Sequence, residues 1–400
     1  MLARLLPQSD DTLIAQELAQ MGHQTLEALL GEDDRRLVWK CIGVPRATAS
    51  VLLDWVQRQG PGYWGFSTAG AEVATCDLLC GAPASLMRQL QQEQQAALQP
   101  VVVALQQAMQ LQERGTAQLV LGGRVFDFRQ RPYIMGILNV TPDSFSDGGL
   151  YLQPEQALTH AETMLAAGAD IIDVGGQSSR PDAVPVPPEV EHARAVPVIR
   201  DIVQRYGALV SVDTYRASVA AAALDAGAVL VNDISAMRFD AQMAPLIARR
   251  GASVVLMHMQ GTPQTMQRAP AYRHVLDDVY SFLAERLHWA LQYGIARQRI
   301  MLDPGFGFGK TVQHNLDLLH GLEHFRALGQ PLLVGTSRKS FLGHLLQRQI
   351  WDRLEGTLAT VLYAVLRGAA LVRVHDVAPV VQTLRLLAAL APRMDADGRG

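Results

Sequence analysis

The chain has 400 residues, too many for one average domain and too few for three large ones. Hydrophobic residues make up 49% and charged residues 18%, which leaves ample material for a core and argues against global disorder. The formal net charge of -3 gives no electrostatic case for nucleic acid or an anionic membrane. No uncharged apolar run reaches the ~18 residues of a spanning helix. MLARLLPQSDD turns acidic before a signal-peptide apolar region develops. Cys41, Cys76 and Cys80 are odd in number and all early in the chain, so they form no disulfide framework and suit a reducing cytoplasm. With no histidine cluster beside them, buried free thiols are expected rather than a zinc site.

In chain order, Ser9 or Asp10 is placed to cap a helix over Leu13–Met21, ended by Gly22. Apolar runs at Arg36–Val44 and Trp64–Ser67 predict strands. The Gln- and Leu-rich stretch from Pro83 to Arg114 is broken by Pro100, which predicts two helices meeting at a bend. These elements make a small mixed α/β domain over residues 1–115 with a helical connection and no recognisable chemistry.

From Gln118 the texture changes. LVLGGRVFDF predicts a hairpin turning at Gly122-Gly123. Short β-rich runs follow at Tyr133–Val140, Asp170–Gly175, Leu209–Asp213, Val229–Ile234, Ser253–Met257, Ile300–Asp303, Pro331–Gly335 and Leu371–His375. Amphipathic segments such as Glu155–Ala167 and Ser218–Ala226 separate them, which implies parallel strands. Eight such units in about 270 residues fit a (β/α)8 TIM barrel over residues 116–392, with 393–400 expected as a disordered tail. A doubly wound open sheet is the alternative, but its Gly-rich first turn is missing.

Nearly every predicted strand ends in a polar group. In order these are Asn139; Gln177, Ser179 and Arg180; Asp213; Asn232; His258 after Met257; Asp303; Ser337, Arg338 and Lys339; and Arg373 with His375. In a barrel those ends converge on one mouth. Chance placement of polar residues at strand ends explains one or two cases, not all eight. Asp213, Asn232 and Asp303 offer acceptors and an amide suited to a flat heterocycle with adjacent N–H donors. Arg338, Lys339, Arg373 and His375 follow strands seven and eight, the usual anion corner of this architecture. Arg373 and His375 alternate on one strand face; a competing reading pairs Arg373 with Asp376 and packs His375. Asn139 could give a carbonyl oxygen to Mg2+ alongside diphosphate oxygens. GFGFGKT (Gly305–Thr311) looks like a phosphate loop, but three residues separate Gly305 from Gly309 where that motif needs four. His258, between two methionines, is read as a structural imidazole.

The segments GILNVTPDSFSDGG (Gly136–Gly149), DVGGQSSRP (Asp173–Pro181), SVDT (Ser211–Thr214), VNDIS (Val231–Ser235), LMHMQGTPQTMQ (Leu256–Gln267), LDPGFGFGK (Leu302–Lys310), GTSRKSFLG (Gly335–Gly343) and RVHDV (Arg373–Val377) resemble dihydropteroate synthase. They occur in family order and cover roughly residues 118 to 391. The resemblance implies that Asp213, Asn232, Asp303 and Lys339 hold a pterin ring, with Met257 and Phe308 lining its slot. It implies that Asn139, Arg180, Arg373 and His375 hold the Mg2+–diphosphate, with Asn139 on the metal. It also implies that Phe145, Ser179, Arg180, Pro181, Lys339 and Ser340 shape a p-aminobenzoate site, with Lys339, Arg373, His375, Asp213 and Asp303 serving catalysis. Two connecting loops, Asn139–Gly149 and Gly175–Pro188, would close over substrate. The family implies a cytoplasmic homodimer with small-molecule substrates, in which diphosphate leaves by an SN1-like path. Where the family reads GGESTRPG, this chain has Gln177, Ser179 and Asp182, which bears on the p-aminobenzoate side. The first 115 residues resemble extensions of some bacterial members and carry no pyrophosphokinase motif. Two rivals are a pterin-dependent corrinoid methyltransferase, which has no need of the SRK loop or the Arg-x-His pair, and a non-catalytic pterin-binding regulator, which would be expected to lose the diphosphate corner.

Overall fold

The structure, a computed structural model, describes residues 1–6, 11–21, 36–59, 64–68, 74–83, 96–114, 118–141, 154–181 and 183–390. It divides into two compact units. The first comprises Met1–Thr116 with Leu276–Ser281 and His320–Gly329; the second comprises Ala117–Val275, Phe282–Leu319 and Gln330–Gly400.

In the first unit β1 (Leu2–Leu6), β2 (Arg36–Pro45), β3 (Trp64–Ser67) and β4 (Thr75–Pro83) form an antiparallel sheet in the order β1-β2-β4-β3. The helices are α1 (Asp11–Gln20), α2 (Arg46–Gln57) and α3 (Gln99–Arg114). Ile14, Leu18 and Met21 pack on Val38 and Leu79. Each such buried aliphatic side chain stabilises the unit by about 1.5–3 kcal/mol. The strands β1 and β4 and the helix α2 add to the elements expected from the sequence. Pro100 lies in the first turn of α3, where its missing N–H costs no intrahelical bond, so within the described residues it opens a helix and bends none. The earlier helix expected before it falls in 84–95, outside the described residues, as do the capping positions Ser9, Asp10 and Gly22. Cys41, Cys76 and Cys80 are free and buried, and burial pushes the Cys41 thiol up to about 12. Buried Lys40 donates from its one ammonium to Glu17 and to Asp277.

The second unit opens with the hairpin of β5 (Gln118–Leu121) and β6 (Arg124–Asp127), turning at Gly122-Gly123. Eight parallel strands then close into a barrel: β7 (Tyr133–Asn139), β8 (Ile171–Gly175), β9 (Leu209–Asp213), β10 (Leu230–Asp233), β11 (Ser253–Met257), β12 (Ile300–Asp303), β13 (Leu332–Val334) and β14 (Ala369–Val374), which returns to β7. The helices that follow them in turn are α4 (Pro154–Ala167), α5 (Pro188–Tyr206), α6 (Ala217–Asp225), α7 (Met243–Arg250), α8 (Val275–Gln292), α9 (Val312–His320), the pair α10 (Ser340–Leu346) and α11 (Leu354–Leu366), and α12 (Val377–Leu390). This is the (β/α)8 barrel. Its N-terminal end is filled by Met135, Ile171, Leu209, Leu230, Val255, Met301, Leu333 and Leu371, with Leu119, Leu121 and Phe126 of the hairpin packed against them. That apolar plug leaves polar side chains to the opposite end. Among the described residues no helix is long and apolar enough to cross a membrane.

Candidate active site

Barrel strands send alternate side chains inward, so residues two or four positions beyond the apolar plug face the axis at the C-terminal end. Asp173 on β8, Asp213 on β9, Asn232 on β10 and Arg373 on β14 meet there. Arg373 donates through Nε to Asp173 Oδ2 at 2.6 Å and through Nη2 to Asp213 Oδ2 at 2.8 Å. Asn232 Nδ2 donates to the same Asp173 Oδ2 at 3.1 Å. Burial pushes the Asp213 carboxyl up to about 7 against the pull of Arg373. Asp303, at the end of β12, is pushed up to about 6 by burial, although the Gly305 N–H donates to its Oδ1 at 2.7 Å. Both groups therefore sit as costly carboxylates, poised to accept donors.

Above them lies a cavity of about 700 Å³. Its wall carries Asn139, Ser179, Arg180, Pro181, Phe308, Lys339, Ser340, Arg373 and His375. The structure thus collects on one wall the described residues among those expected to serve diphosphate and p-aminobenzoate. Asp213, Asn232, Met257 and Asp303 are buried and not on that wall. Met257 shares an apolar cluster with Phe308, Ile234, Met259 and Met266. The Lys339 ammonium stands 4.0 Å from the centre of the Phe308 ring, and burial together with Arg373 lowers it to about 8. Phe145, with the rest of residues 142–150, lies outside the described residues, as does Asp182.

The anion corner is more differentiated than its composition suggested. Arg338 sits at φ 57° and donates through Nε and Nη2 to Asp376 at 2.9 and 2.6 Å. Asp376 therefore pairs with Arg338, and the alternative pairing with Arg373 is not what forms. His375 faces Ser337 Oγ through Nδ1 at 3.0 Å. Burial and the positive charges of Arg373, Arg338, Lys339 and Arg180 push its imidazole down to about 3. It is neutral near pH 7 and is placed to hydrogen-bond.

The GFGFGK segment turns its lysine inward. Lys310 Nζ is shared among Gly305 O at 2.9 Å, Phe308 O at 3.0 Å and His258 Nδ1 at 2.9 Å. No donor is left for a phosphate, in line with the failed spacing. The turn needs glycine: Gly305 has φ +73°, and a Cβ there would lie 1.9 Å from the His258 carbonyl oxygen. His258 is buried, lies edge-on to Phe282, and is held well below the usual imidazole range by burial and Lys310. It is a structural imidazole.

In the second loop Gln177 Nε2 donates to the Tyr215 hydroxyl at 2.7 Å, and its Oε1 accepts from Val186 N at 3.1 Å. The amide thus bridges Tyr215 and the Val186 backbone; a carboxylate could accept from both, so the substitution removes a charge and keeps the bridge. Sequence reasoning missed Ile350, Trp351 and Arg353, which also line the cavity. The one signal available was Trp351 itself, an aromatic in a polar stretch, and it is 75% exposed. Asp173 was quoted within a motif and given no role.

The family described as pterin binding enzyme matches residues 135–375. A dihydropteroate synthase of Synechocystis sp. is 43% identical over 287 residues, 72% of this chain and 99% of the relative. The Escherichia coli (strain K12) dihydropteroate synthase is 46% identical over 258 residues, 64% of this chain and 91% of the relative. Among solved structures, the Yersinia pestis dihydropteroate synthase with a sulfonamide drug superposes with a TM-score of 0.65 at 43% identity, covering 68% of this chain and 98% of that one. The Xanthomonas albilineans enzyme in complex with 7,8-dihydropteroate gives a TM-score of 0.62 at 41% identity over the same shares of each chain. A further structure of that enzyme holds 4-aminobenzoic acid. With the barrel, the buried acidic floor and the basic cavity wall all in place, the matches leave one conclusion: the chain belongs to the dihydropteroate synthase family of pterin-binding enzymes.

Proposed function

We propose that the chain condenses 6-hydroxymethyl-7,8-dihydropterin diphosphate with p-aminobenzoate, giving 7,8-dihydropteroate and diphosphate in folate biosynthesis. The observation that carries this reading is the pair of buried carboxylates, Asp213 and Asp303, set behind a single cavity whose wall is Lys339, Phe308, Arg373 and His375. Asp213, Asn232 and Asp303 accept from the ring N–H groups, and Met257 and Phe308 enclose the ring. The C–O bond between the exocyclic methylene and diphosphate breaks, and the aniline nitrogen forms the new C–N bond, shedding a proton. The amine is neutral already, so little base assistance is needed. Two carboxylates near the ring favour the cation left when diphosphate departs first, which supports an SN1-like path. Arg373, Arg180, His375 and Lys339 face the developing negative charge. A diphosphate beside His375 offsets the positive charges that, after burial, keep its imidazole neutral.

Asn139 ends β7 on the cavity wall, half-buried, and a Cβ on Gly175 would lie 3.4 Å from its Oδ1. One amide oxygen with open space before it fits Mg2+, which prefers few protein ligands plus phosphate. When bound there, Mg2+ supplies charge neutralisation on the diphosphate. The p-aminobenzoate side is assigned to Ser179, Arg180, Pro181, Lys339 and Ser340, with Phe145 from the first loop. The relatives' complexes with 4-aminobenzoic acid and a sulfonamide drug support small molecules of this class as ligands, and sulfonamide binding at the same place is part of this proposal. A homodimer fits the exposed Leu366, Leu386 and Leu390 on α11 and α12, and the free buried thiols fit the cytoplasm.

The experiment is diphosphate release measured with both substrates. Release that needs p-aminobenzoate supports the synthase. Pterin binding without release favours a non-catalytic regulator, and methyl transfer to a corrinoid protein favours the methyltransferase. The relatives' names and the intact cavity wall favour the first outcome.

A further inference from the structure

We propose that Asp173 is a positioning residue of the pterin floor, fixing the amide of Asn232 and tethering Arg373. The inference rests on the reading that Asp213, Asn232 and Asp303 hold the ring. Asp173 is 0% exposed, midway up β8, in register with Ser211 on β9. Its Oδ2 accepts twice, from Arg373 Nε at 2.6 Å and Asn232 Nδ2 at 3.1 Å. A carboxylate oxygen is an acceptor, so Asn232 must turn its NH2 towards Asp173 and its carbonyl away. That carbonyl Oδ1 is buried and has no hydrogen-bond partner among the described residues; Asp173 Oδ1 and Ser211 Oγ share this condition. An unpaired buried acceptor is a standing cost, tolerated where a ligand supplies the donor. Without Asp173 the amide could present either end, and half of those orientations would set N–H against the N–H of a ring. The same carboxylate keeps hold of Arg373 through Nε while Nη2 rests on Asp213. A ring N–H that takes Asp213 thus displaces one arm of Arg373 and leaves the other tied near the departing diphosphate.

The test is calorimetric titration of the full chain with a pterin lacking diphosphate, alongside thermal melts. Asn232→Ala and Asp173→Leu are each expected to weaken binding roughly 10–100-fold, the loss of a buried acceptor to its donor. Asp173→Asn, whose side-chain carbonyl can accept from the same two donors, should stay within about threefold of the parent. The double variant Asp173→Leu/Asn232→Ala should be no weaker than Asn232→Ala alone, within about threefold, because residues acting through one contact are not additive. A merely structural Asp173 would lower the melting temperature and add its loss to that of Asn232. Should Asp173→Leu not fold, isosteric variants decide. Asn232→Asp sets two carboxylates against each other and should lose affinity, and adding Asp173→Asn should recover most of it. Parent-like binding by Asp173→Leu, full additivity, or no recovery in the exchanged pair would overturn the proposal. Parent-like binding by Asn232→Ala would overturn the ring assignment itself, and this proposal with it.

Discussion

Lys310→Met should cost both stability and grip on the pterin substrate. Methionine keeps the length of the side chain and deletes every donor. Lys310 is 3% exposed, and its ammonium serves Gly305 O, Phe308 O and His258 Nδ1, all within 3.0 Å. Each buried acceptor left without a donor costs about 1–3 kcal/mol. Against this, the variant is relieved of burying an ammonium, an effect of several kcal/mol per ion. The balance is a net loss of roughly 2–4 kcal/mol, a fall of about 5–10 °C in Tm. Burial also lowers Lys310 from 10.5 to about 7. Between those values the unfolded chain binds more protons than the folded one, so this group's contribution to stability rises with pH and is lost as pH falls through about 7. The variant should flatten that rise. The loop also carries Phe308 to Lys339 and offers the Gly305 N–H to Asp303, so KM for the pterin diphosphate should increase more than KM for p-aminobenzoate. Circular-dichroism melts from pH 6 to 10 and steady-state kinetics measure all of this. A Tm within about 1 °C of the parent with an unchanged pterin KM would refute the reasoning.

Asp213→Ala and Asp303→Ala should each weaken binding of a diphosphate-free pterin by about 1.5–3 kcal/mol, because each removes a charged acceptor from ring donors; titration showing unchanged affinity in both would sink the pocket assignment. Lys40→Ala withdraws the ammonium shared by buried Glu17 and Asp277, and should lower unfolding free energy by roughly 3–5 kcal/mol in denaturant titrations. The same variant should keep its kcat well below the melting range, since every chemical role is assigned from Asn139 onward; a large fall in kcat with the fold intact would give the first unit a part in the reaction. Sulfonamides should compete with p-aminobenzoate, presenting the same flat aniline to Pro181, Lys339 and Ser340, and steady-state inhibition that is non-competitive would count against that site.

The barrel was legible because its strands are buried on both faces and so read as short apolar runs that stop at polar groups. Leu209–Asp213, Ser253–Met257 and Ile300–Asp303 coincide with their predictions, and the others differ at their ends by one or two residues. The first unit was harder for the same reason in reverse. LARLL holds Arg4 and reads equally as helix, while TCDLLCGAP holds Asp77 and ends in Gly-Ala-Pro. Their strand character comes from pairing with β2, which nothing local announces.

Within the site, residue types at strand ends are local facts, and Asp213, Asn232, Asp303, Lys339 and Arg373 could be named from them. What those groups bond to is not local. Arg373 is 200 positions from Asp173 and 160 from Asp213. Lys310 shows the other limit. Its motif resembles a phosphate loop, and only the left-handed glycine turn at Gly305 directs the lysine back onto its own carbonyls. Asp173 shows how such a residue could have been found. It sits inside the apolar run Ile-Ile-Asp-Val-Gly, two residues before an inward Gly175. Strand alternation therefore puts its charge inside the barrel, where an unpaired carboxylate could not be held. An acid at an inward position of a buried strand obliges a cation or paired donors from another strand. The inward arginine of the eighth strand is the group best able to meet that demand.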